Sequence, residues 1–185
     1  MTLKREDLAF RYPTNDLLRD GTAVVFRPVL SSDRDHLIGF ARALEEEDLL
    51  FLREDITSSD VVDDWLADVE KGETFTVIAE VGDRIVGYGS LHTEPARWTR
   101  HVGEIRINVH PDYRGTGLGG LLAGEIRTVA PAFNIRTLSA QMPVDQLTAR
   151  TVFERLGFRY QAILPGWVMD RDGRDLDLLI MAREI

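Results

Sequence analysis

The order of apolar and polar side chains predicts one strand and then two amphipathic helices in the first part of the chain. Residues 22–29 alternate apolar and polar side chains and are rich in β-branched types, which is typical of a strand. A helix with Ser32 and Asp35 as its capping box follows, and a second helix runs from Ser58 to a stop at Gly72. The predicted buried faces comprise Leu37, Ile38, Ala41 and Leu44 in the first helix and Val61, Val62, Trp65, Leu66 and Val69 in the second.

The rest of the chain continues this mixture of strands and helices. Strands are predicted at residues 74–81, 84–92, 102–109, 136–141, 158–170 and 174–183, and helices before Pro131 and at residues 145–156. The resulting order is β-αα-βββ-α-β-α-ββ, in which most neighbouring strands are able to pair antiparallel. We therefore predict an α+β fold rather than a doubly wound sheet. Residues 1–20 are expected to form a partly ordered lead-in to a single domain over residues 21–185.

Composition adds limits to this picture. The chain has 185 residues, of which 44% are hydrophobic and 29% are charged, as in ordinary globular proteins. No apolar run approaches the length of a membrane span, and the first residues carry no apolar signal segment, so we expect a cytoplasmic protein without membrane contact. The chain has no cysteine, which excludes a disulfide framework and a thiol nucleophile, and no residue pattern suggests a metal site.

Charge is distributed unevenly along the chain. The net charge is −9, and residues 31–73 hold 14 acidic and 4 basic residues, whereas the remainder holds 17 acidic and 18 basic residues. This balance argues against a nucleic-acid partner, whose phosphates require basic contacts. Two interpretations of the acidic block stay open: a surface that attracts a cationic partner, or two well-solvated helix faces.

The most informative segment is a strand, a glycine-rich loop and a helix between residues 102 and 130. Several glycines at one helix start reduce helix stability and so need a reason. Close approach of an anion to the free N–H groups at the helix N-terminus supplies one, and Arg114 stands beside that point. The loop is not a Walker loop, since Leu121 and Leu122 follow its last glycine. It is not a dinucleotide loop, because residues 134–142 contain no acid.

The loop has the pattern Arg-x-x-Gly-x-Gly, with INVHPDY before it and FERLGF after the next helix. In this context it resembles the GNAT superfamily of N-acetyltransferases, and the lead-in LLRDGTAVVFRPV is similar to bacterial protein-lysine acetyltransferases of that superfamily. The resemblance implies a GNAT-like fold with a mixed, mostly antiparallel central sheet flanked by helices. It also implies transfer of an acetyl group from acetyl-CoA to a primary amine, either a lysine side chain or a small cationic amine. The alternative is a catalytically silent acyl-CoA-binding module. Homodimers are common for this fold.

The resemblance also implies which residues bind acetyl-CoA. The strand before the loop pairs with the pantetheine arm in such enzymes, which here assigns Ile107, Asn108 and Val109. Gln146 stands where many members have a cofactor-binding asparagine, and Phe153 stands where many have a tyrosine that acts as general acid. The predicted pyrophosphate site consists of Arg114, Gly115, Thr116, Gly117, Leu118, Gly119 and Gly120.

An amine acceptor must lose a proton before it attacks a thioester, so a general base is expected. Members that use a glutamate often place it in the strand before the loop, which here assigns Glu104. The alternative for Glu104 is a surface partner to Arg106, two residues further along the same face of the strand. Glu94 is a second candidate base, and His92 and His110 rank lower. In this fold the first two helices wall the acceptor side, so Glu45, Glu46, Glu47, Asp48, Glu54 and Asp55 are expected to attract the amine.

Overall fold

A computed structural model describes residues 4–45, 48, 49, 52, 55–94, 96–170 and 172–185. The described strands are β1 (Thr14–Leu17), β2 (Ala23–Pro28), β3 (Thr74–Val81), β4 (Arg84–Thr93), β5 (Val102–Val109), β6 (Thr137–Pro143), β7 (Arg159–Met169) and β8 (Asp175–Glu184). These eight strands form one sheet in the order β1-β2-β3-β4-β5-β6-β8-β7. Every neighbouring pair is antiparallel except β5 and β6, which are parallel.

Helices cover both faces of the sheet. The α-helices in the described residues are α1 (Leu8–Arg11), α2 (Arg34–Arg42), α3 (Ser59–Lys71), α4 (Leu118–Val129) and α5 (Leu147–Arg155). Helices α2 and α3 bury their apolar stripes on one face, with Leu37, Val62 and Ile78 in that core. Helix α4 fills the other face with Leu118, Leu122 and Ile126. None of the described helices is long and apolar enough to cross a membrane.

The predicted α+β fold is confirmed, with two differences in detail. The lead-in contributes β1, which pairs with β2, and buries Leu8 and Leu18 in the larger core. The predicted capping box at Ser32 and Asp35 is wrong. A 3-10 turn precedes α2, and the backbone N–H of Leu30 donates to the carboxylate of Asp33 (2.8 Å). Burial favours this choice, because the side chain of Asp33 is buried beside Arg27 of β2 whereas the side chain of Asp35 is exposed.

Two contacts fix α4 against the rest of the molecule. At Gly89 of β4 a β-carbon would lie 3.0 Å from Cγ1 of Ile126, so the helix sits closer to the sheet than a larger residue would allow. On its far side, Glu125 accepts hydrogen bonds from Arg11 (2.6 and 2.7 Å) and from the hydroxyl of Tyr12 (2.8 Å). Helix α4 is thus clamped between the sheet and the lead-in, which positions its N-terminus at the end of β5.

Candidate active site

A gap opens in the middle of the sheet, between β5 and β6. Their parallel pairing consists of three residue pairs and ends at Glu104 and Ser139. Beyond this point β5 continues to Val109 and β6 to Pro143, but the described strands do not pair with each other again. Main-chain donors and acceptors on the edge of β5 therefore face a space that an extended chain could enter as an additional strand.

The register of β5 shows which of its residues face that gap. The backbone N–H of His110 donates to the carbonyl of Val86 (2.9 Å), and hydrogen-bonded pairs alternate along an antiparallel ladder. This alternation turns the main-chain groups of Ile107 and Val109 toward the gap. The main chain of Asn108, which the sequence assigns to the same set, faces β4 instead. Its side-chain amide donates to the hydroxyl of Tyr88 (2.7 Å).

The glycine loop lies at the end of this gap and leads into α4. Gly117 is the N-cap of α4 with φ of 93°, a left-handed conformation that strongly favours glycine. Apart from the chain neighbours and the helix backbone, no atom of the described residues lies within 4 Å of a β-carbon placed on Gly115 or Gly120, so the surface in front of the loop is open. Thr116 folds back to donate to the carbonyl of Tyr113 (2.6 Å). The side chain of Leu118 is buried, so only its main chain is available to an anion.

Two arginines flank the loop. Arg114 donates to the carboxylate of Glu45 (2.5 Å) and to that of Asp48. The arginine that was predicted to bind the pyrophosphate is therefore paired with two carboxylates of the acidic block. Arg19, in the turn between β1 and β2, donates its backbone N–H to the carbonyl of Thr116 (2.9 Å). The side chain of Arg19 also lies beside Gly117. Sequence reasoning missed Arg19, because nothing in a lead-in of unknown course indicates that it reaches the loop.

Polar side chains of β4 and β5 line the opposite face of the sheet, under α3. Glu104 and Arg106 form an ion pair (Nε to Oε1, 2.8 Å) in which the side chains keep 17% and 24% of their exposure. The pairing with Arg106 that was expected as the alternative for Glu104 is therefore present, but not at the surface. The pair is largely shielded from water, which is not the situation of a surface ion pair. A cavity of about 90 Å³ adjoins it, and its polar lining comprises Asp68, Thr74, Ser90, His92 and Arg106.

Among the other candidate bases, His92 lies beside Glu104 in the sheet. These residues are direct cross-strand partners, and Nδ1 of His92 lies 3.3 Å from the hydroxyl of Thr74. Glu94 lies beyond the end of β4, is exposed, and accepts a hydrogen bond from the backbone of Ala96 (3.3 Å).

His110 is separate from this group. It is buried, its Nδ1 accepts from the backbone N–H of Asp112 (3.2 Å), and its Nε2 contacts Arg84 (2.5 Å). Burial and the neighbouring Arg84 lower the pKa of His110, so its imidazole is neutral at pH 7. These contacts give His110 a structural role in the turn before the glycine loop.

Helix α5 places the last two predicted residues. Gln146 is its N-cap residue, at the end of the strand across the gap from β5. Phe153 is buried and packs edge-to-face on Phe158 with ring centroids 5.0 Å apart. It therefore belongs to the apolar core and has no group that could donate a proton.

The acidic block is less exposed to a ligand than its charge suggests. Glu46, Glu47 and Glu54 lie outside the described residues. Within the described ranges most of the remaining carboxylates of this block have partners: Asp33 with Arg27, Glu45 and Asp48 with Arg114, Asp63 with Arg34, Asp68 with Lys71, Glu70 with Ser31, and Asp55 with Thr57. Among them, Asp68 lines the cavity beside Arg106. The described part of the chain holds no cluster of three His, Asp or Glu residues that could bind a metal ion.

Comparison with known proteins gives a relative by sequence and several solved structures of similar fold. The provisionally named phosphinothricin acetyltransferase YwnH of Bacillus subtilis (strain 168) is 29% identical over 100 residues, which span 54% of this chain and 60% of YwnH. The crystal structure of the GNAT domain of S. lividans PAT superposes with a TM-score of 0.79 at 18% identity, covering 95% of this chain and 98% of that one. The structure of yncA from Salmonella typhimurium, solved with acetyl-CoA, has a TM-score of 0.77 at 20% identity, covering 87% and 93%.

These structural similarities establish the fold, and the sequence match establishes the family. Residues 41–158 match the family described as Acetyltransferase (GNAT) family. The matched range begins within α2 and ends at Phe158, so it contains the gap between β5 and β6, the glycine loop and α5. The chain belongs to the GNAT acetyltransferase family.

Proposed function

We propose that this protein is an N-acetyltransferase that transfers an acetyl group from acetyl-CoA to a primary amine. The observation that carries the proposal is the opening between β5 and β6 directly in front of the N-terminus of α4. Acetyl-CoA has an extended arm of amides with a pyrophosphate at one end. The amides need strand-like main-chain partners, which the opening beside β5 would provide. The pyrophosphate needs N–H groups at a helix N-terminus, which α4 would provide. The acetyl-CoA complex of yncA, a protein of the same fold, supports this assignment.

The residues present suit acetyl-CoA. Main-chain groups of Ile107 and Val109 would bind the amides of the pantetheine arm, and the side chain of Gln146 would reach it from across the gap. The main-chain N–H groups of residues 115–120 would hold the pyrophosphate, with Arg114 beside them. When bound, acetyl-CoA supplies the activated acyl group as a thioester.

The base of the proposed reaction is Glu104, directly or through a water molecule. A lysine ammonium has a pKa of about 10.4, so its proton must be removed before the amine attacks. Glu104 and its cross-strand partner His92 lie on the face of the sheet opposite the glycine loop, beside the cavity under α3. The ion pair with Arg106 would fix the orientation of the Glu104 carboxylate.

The leaving thiolate would depart without a tyrosine acid, because Phe153 is buried in the core. A thiol with a pKa near the ~8.5 of cysteine leaves as the anion close to neutral pH, so the absence costs less than it would for an alkoxide. The same residue favours the second candidate function, a silent acyl-CoA-binding module. Turnover distinguishes the two, because only the enzyme releases CoA in the presence of an amine.

The proposed acceptor is a cationic amine, either a lysine side chain or a small molecule. A cavity of about 90 Å³ suits a narrow aliphatic stem that ends in an amine. Asp68 provides negative charge in its lining, and the charge of Arg106 there is balanced by its ion pair with Glu104. The name of YwnH indicates phosphinothricin as the acceptor of that protein, so phosphinothricin belongs in the panel of amines. A cytoplasmic location and a homodimer stay predictions, and light scattering in solution would test the dimer.

The proposal is tested by titrating acetyl-CoA into the protein and then measuring CoA release with a panel of amines and lysine peptides. We expect saturable binding, turnover on at least one amine, and a fall of about 10²-fold or more in kcat for Glu104→Gln. Glu94→Gln, which removes an exposed carboxylate outside the cavity, is the matched control and should retain wild-type kcat. Binding without turnover would favour the silent module, and absence of binding would overturn both candidate functions.

A further inference from the structure

Another cavity lined by described residues lies on the other side of the sheet, between α4 and the C-terminal end of α5. It has a volume of about 280 Å³ and is lined by Gly120, Ala123, Arg127, Arg155, Phe158 and Arg183, among others. Its volume approaches the lower end of the range for small-molecule sites. The cavity plays no part in the chemistry assigned above, which takes place at the gap and under α3.

The lining is cationic and contains no acidic residue. Arg127 and Arg155 are exposed and make no hydrogen bond or ion pair with the described residues. Arg183 donates to the carbonyl of Leu156 at the end of α5, which orients its guanidinium across the cavity. A basic residue near a helix C-terminus is common, but that preference does not account for three arginines around one cavity without a carboxylate. The arrangement favours the binding of an anion.

The cavity is continuous with the glycine loop. Gly120 belongs both to the first turn of α4 and to the cavity wall, and the α4 residues between it and Arg127 on this side are Ala123 and Gly124. Outside the backbone of α4 itself, the described part of the chain has no atom within 4 Å of a β-carbon placed on Gly120 or Gly124, so the surface of the helix forms an open path. Arg127 starts about 10 Å further along the axis than Gly120, and helical side chains lean back toward the N-terminus.

We propose that Arg127, Arg155 and Arg183 bind the 3′-phosphate of CoA, with the adenine above the small residues of α4. The inference rests on the proposed function, which places the pyrophosphate at the start of the same helix. A phosphate monoester carries more charge than a diester and accepts bidentate hydrogen bonds from guanidinium groups. The apolar atoms of Ala123 and Phe158 would contact the purine. The protein would therefore distinguish CoA from dephospho-CoA, which lacks this phosphate.

The test compares the Kd of CoA and of dephospho-CoA by calorimetry, for wild type, Arg127→Gln/Arg155→Gln and Arg150→Gln. Arg150 also lies on α5 but pairs with Glu154 and does not line the cavity, so Arg150→Gln is the matched control. We expect wild type and Arg150→Gln to bind CoA at least about tenfold more tightly than dephospho-CoA. The double variant should lose this preference while its Kd for dephospho-CoA stays unchanged.

Equal affinity of wild type for the two compounds would overturn this inference and leave the proposed function intact. So would an equal loss of affinity for both compounds in the double variant, because that indicates a general effect of charge. Adenosine 3′,5′-bisphosphate is the probe for the cavity itself and should compete with CoA. Simultaneous binding of both would show a separate effector site and would also overturn the inference. Failure of wild type to bind either form of CoA would overturn the proposed function.

Discussion

The guanidinium of Arg114 forms ion pairs with the carboxylates of Glu45 and Asp48. The pyrophosphate of CoA would compete with these carboxylates for the same guanidinium. The perturbation that isolates this competition is Glu45→Gln/Asp48→Asn. It leaves the glycine loop, α4 and Arg114 unchanged and removes only the negative charge of the two partners. We expect this variant to bind CoA more tightly than wild type.

The structure sets the size of the effect. The side chains of Arg114, Glu45 and Asp48 retain 41%, 59% and 28% of their exposure, so these are surface ion pairs rather than buried ones. Pairs of this kind contribute about 0.2–1 kcal/mol each. If a pyrophosphate must displace both pairs, their removal should lower the Kd of CoA by about 2- to 30-fold at low salt. The gain should shrink in high salt, because exposed charges are screened.

Calorimetric titration of CoA at low and at high ionic strength measures this effect. The matched control is Asp60→Asn/Asp64→Asn, which removes two carboxylates of α3 and lowers the negative charge of the acidic block by the same amount. These carboxylates form no ion pair with Arg114, so the control should change the Kd much less. An unchanged or weaker affinity in Glu45→Gln/Asp48→Asn would refute the competition. An equal gain in both double variants would show that only net charge matters.

Three further predictions concern stability. Gly89→Ala should lower the free energy of unfolding by about 1–3 kcal/mol, because the added methyl group meets Ile126 at 3.0 Å. Burial alone would raise the pKa of Asp33, but the hydrogen bonds from Arg27 lower it overall. Since the unfolded carboxyl titrates near pH ~3.9, the advantage of wild type over Asp33→Asn should be complete above that pH and shrink as the pH falls through the lower, folded pKa. Glu125→Gln should weaken the anchor of the lead-in and speed trypsin cleavage there, as seen by mass spectrometry.

Each of these predictions has its own control or contradicting result. Gly39→Ala lies in α2 with no atom near the added methyl group, and chemical denaturation should show no loss of stability for it. An equal loss at Gly39 and Gly89 would contradict the steric argument. If the difference in stability between wild type and Asp33→Asn does not change as the pH falls, the result would count against the role of Arg27. Unchanged cleavage in Glu125→Gln would show that the apolar contacts of Leu8 and Leu18 suffice to hold the lead-in.

The parts of the fold that depend on local sequence were predictable. The strand, loop and helix around Gly117 carry their signals within a short stretch, and the apolar stripe that places Phe153 in the core is visible at helical spacing. The pairing of Glu104 with Arg106 was predictable as well, because the two residues are neighbours on one face of a strand. In each case the residues that interact are close in sequence.

Features that depend on distant pairing were not predictable. Strand β1 is short and polar, with the sequence TNDL, and its regular structure comes from pairing with β2. The partners of Arg114 lie 66 and 69 residues away in the chain, so no local pattern indicates them. The gap beside β5 exists because its pairing with β6 ends at Glu104, and a strand sequence does not show where its neighbour departs.

The most direct test of the account is amide hydrogen exchange, measured by NMR with and without acetyl-CoA. If the gap and the glycine loop bind the pantetheine arm and the pyrophosphate, exchange should slow at the amides of Ile107 and Val109 and across residues 115–120. Amides of β7, on the distant edge of the sheet, should keep their rates. Binding of acetyl-CoA without protection at Ile107, Val109 and the loop would contradict the account, because the ligand would then occupy another part of the molecule.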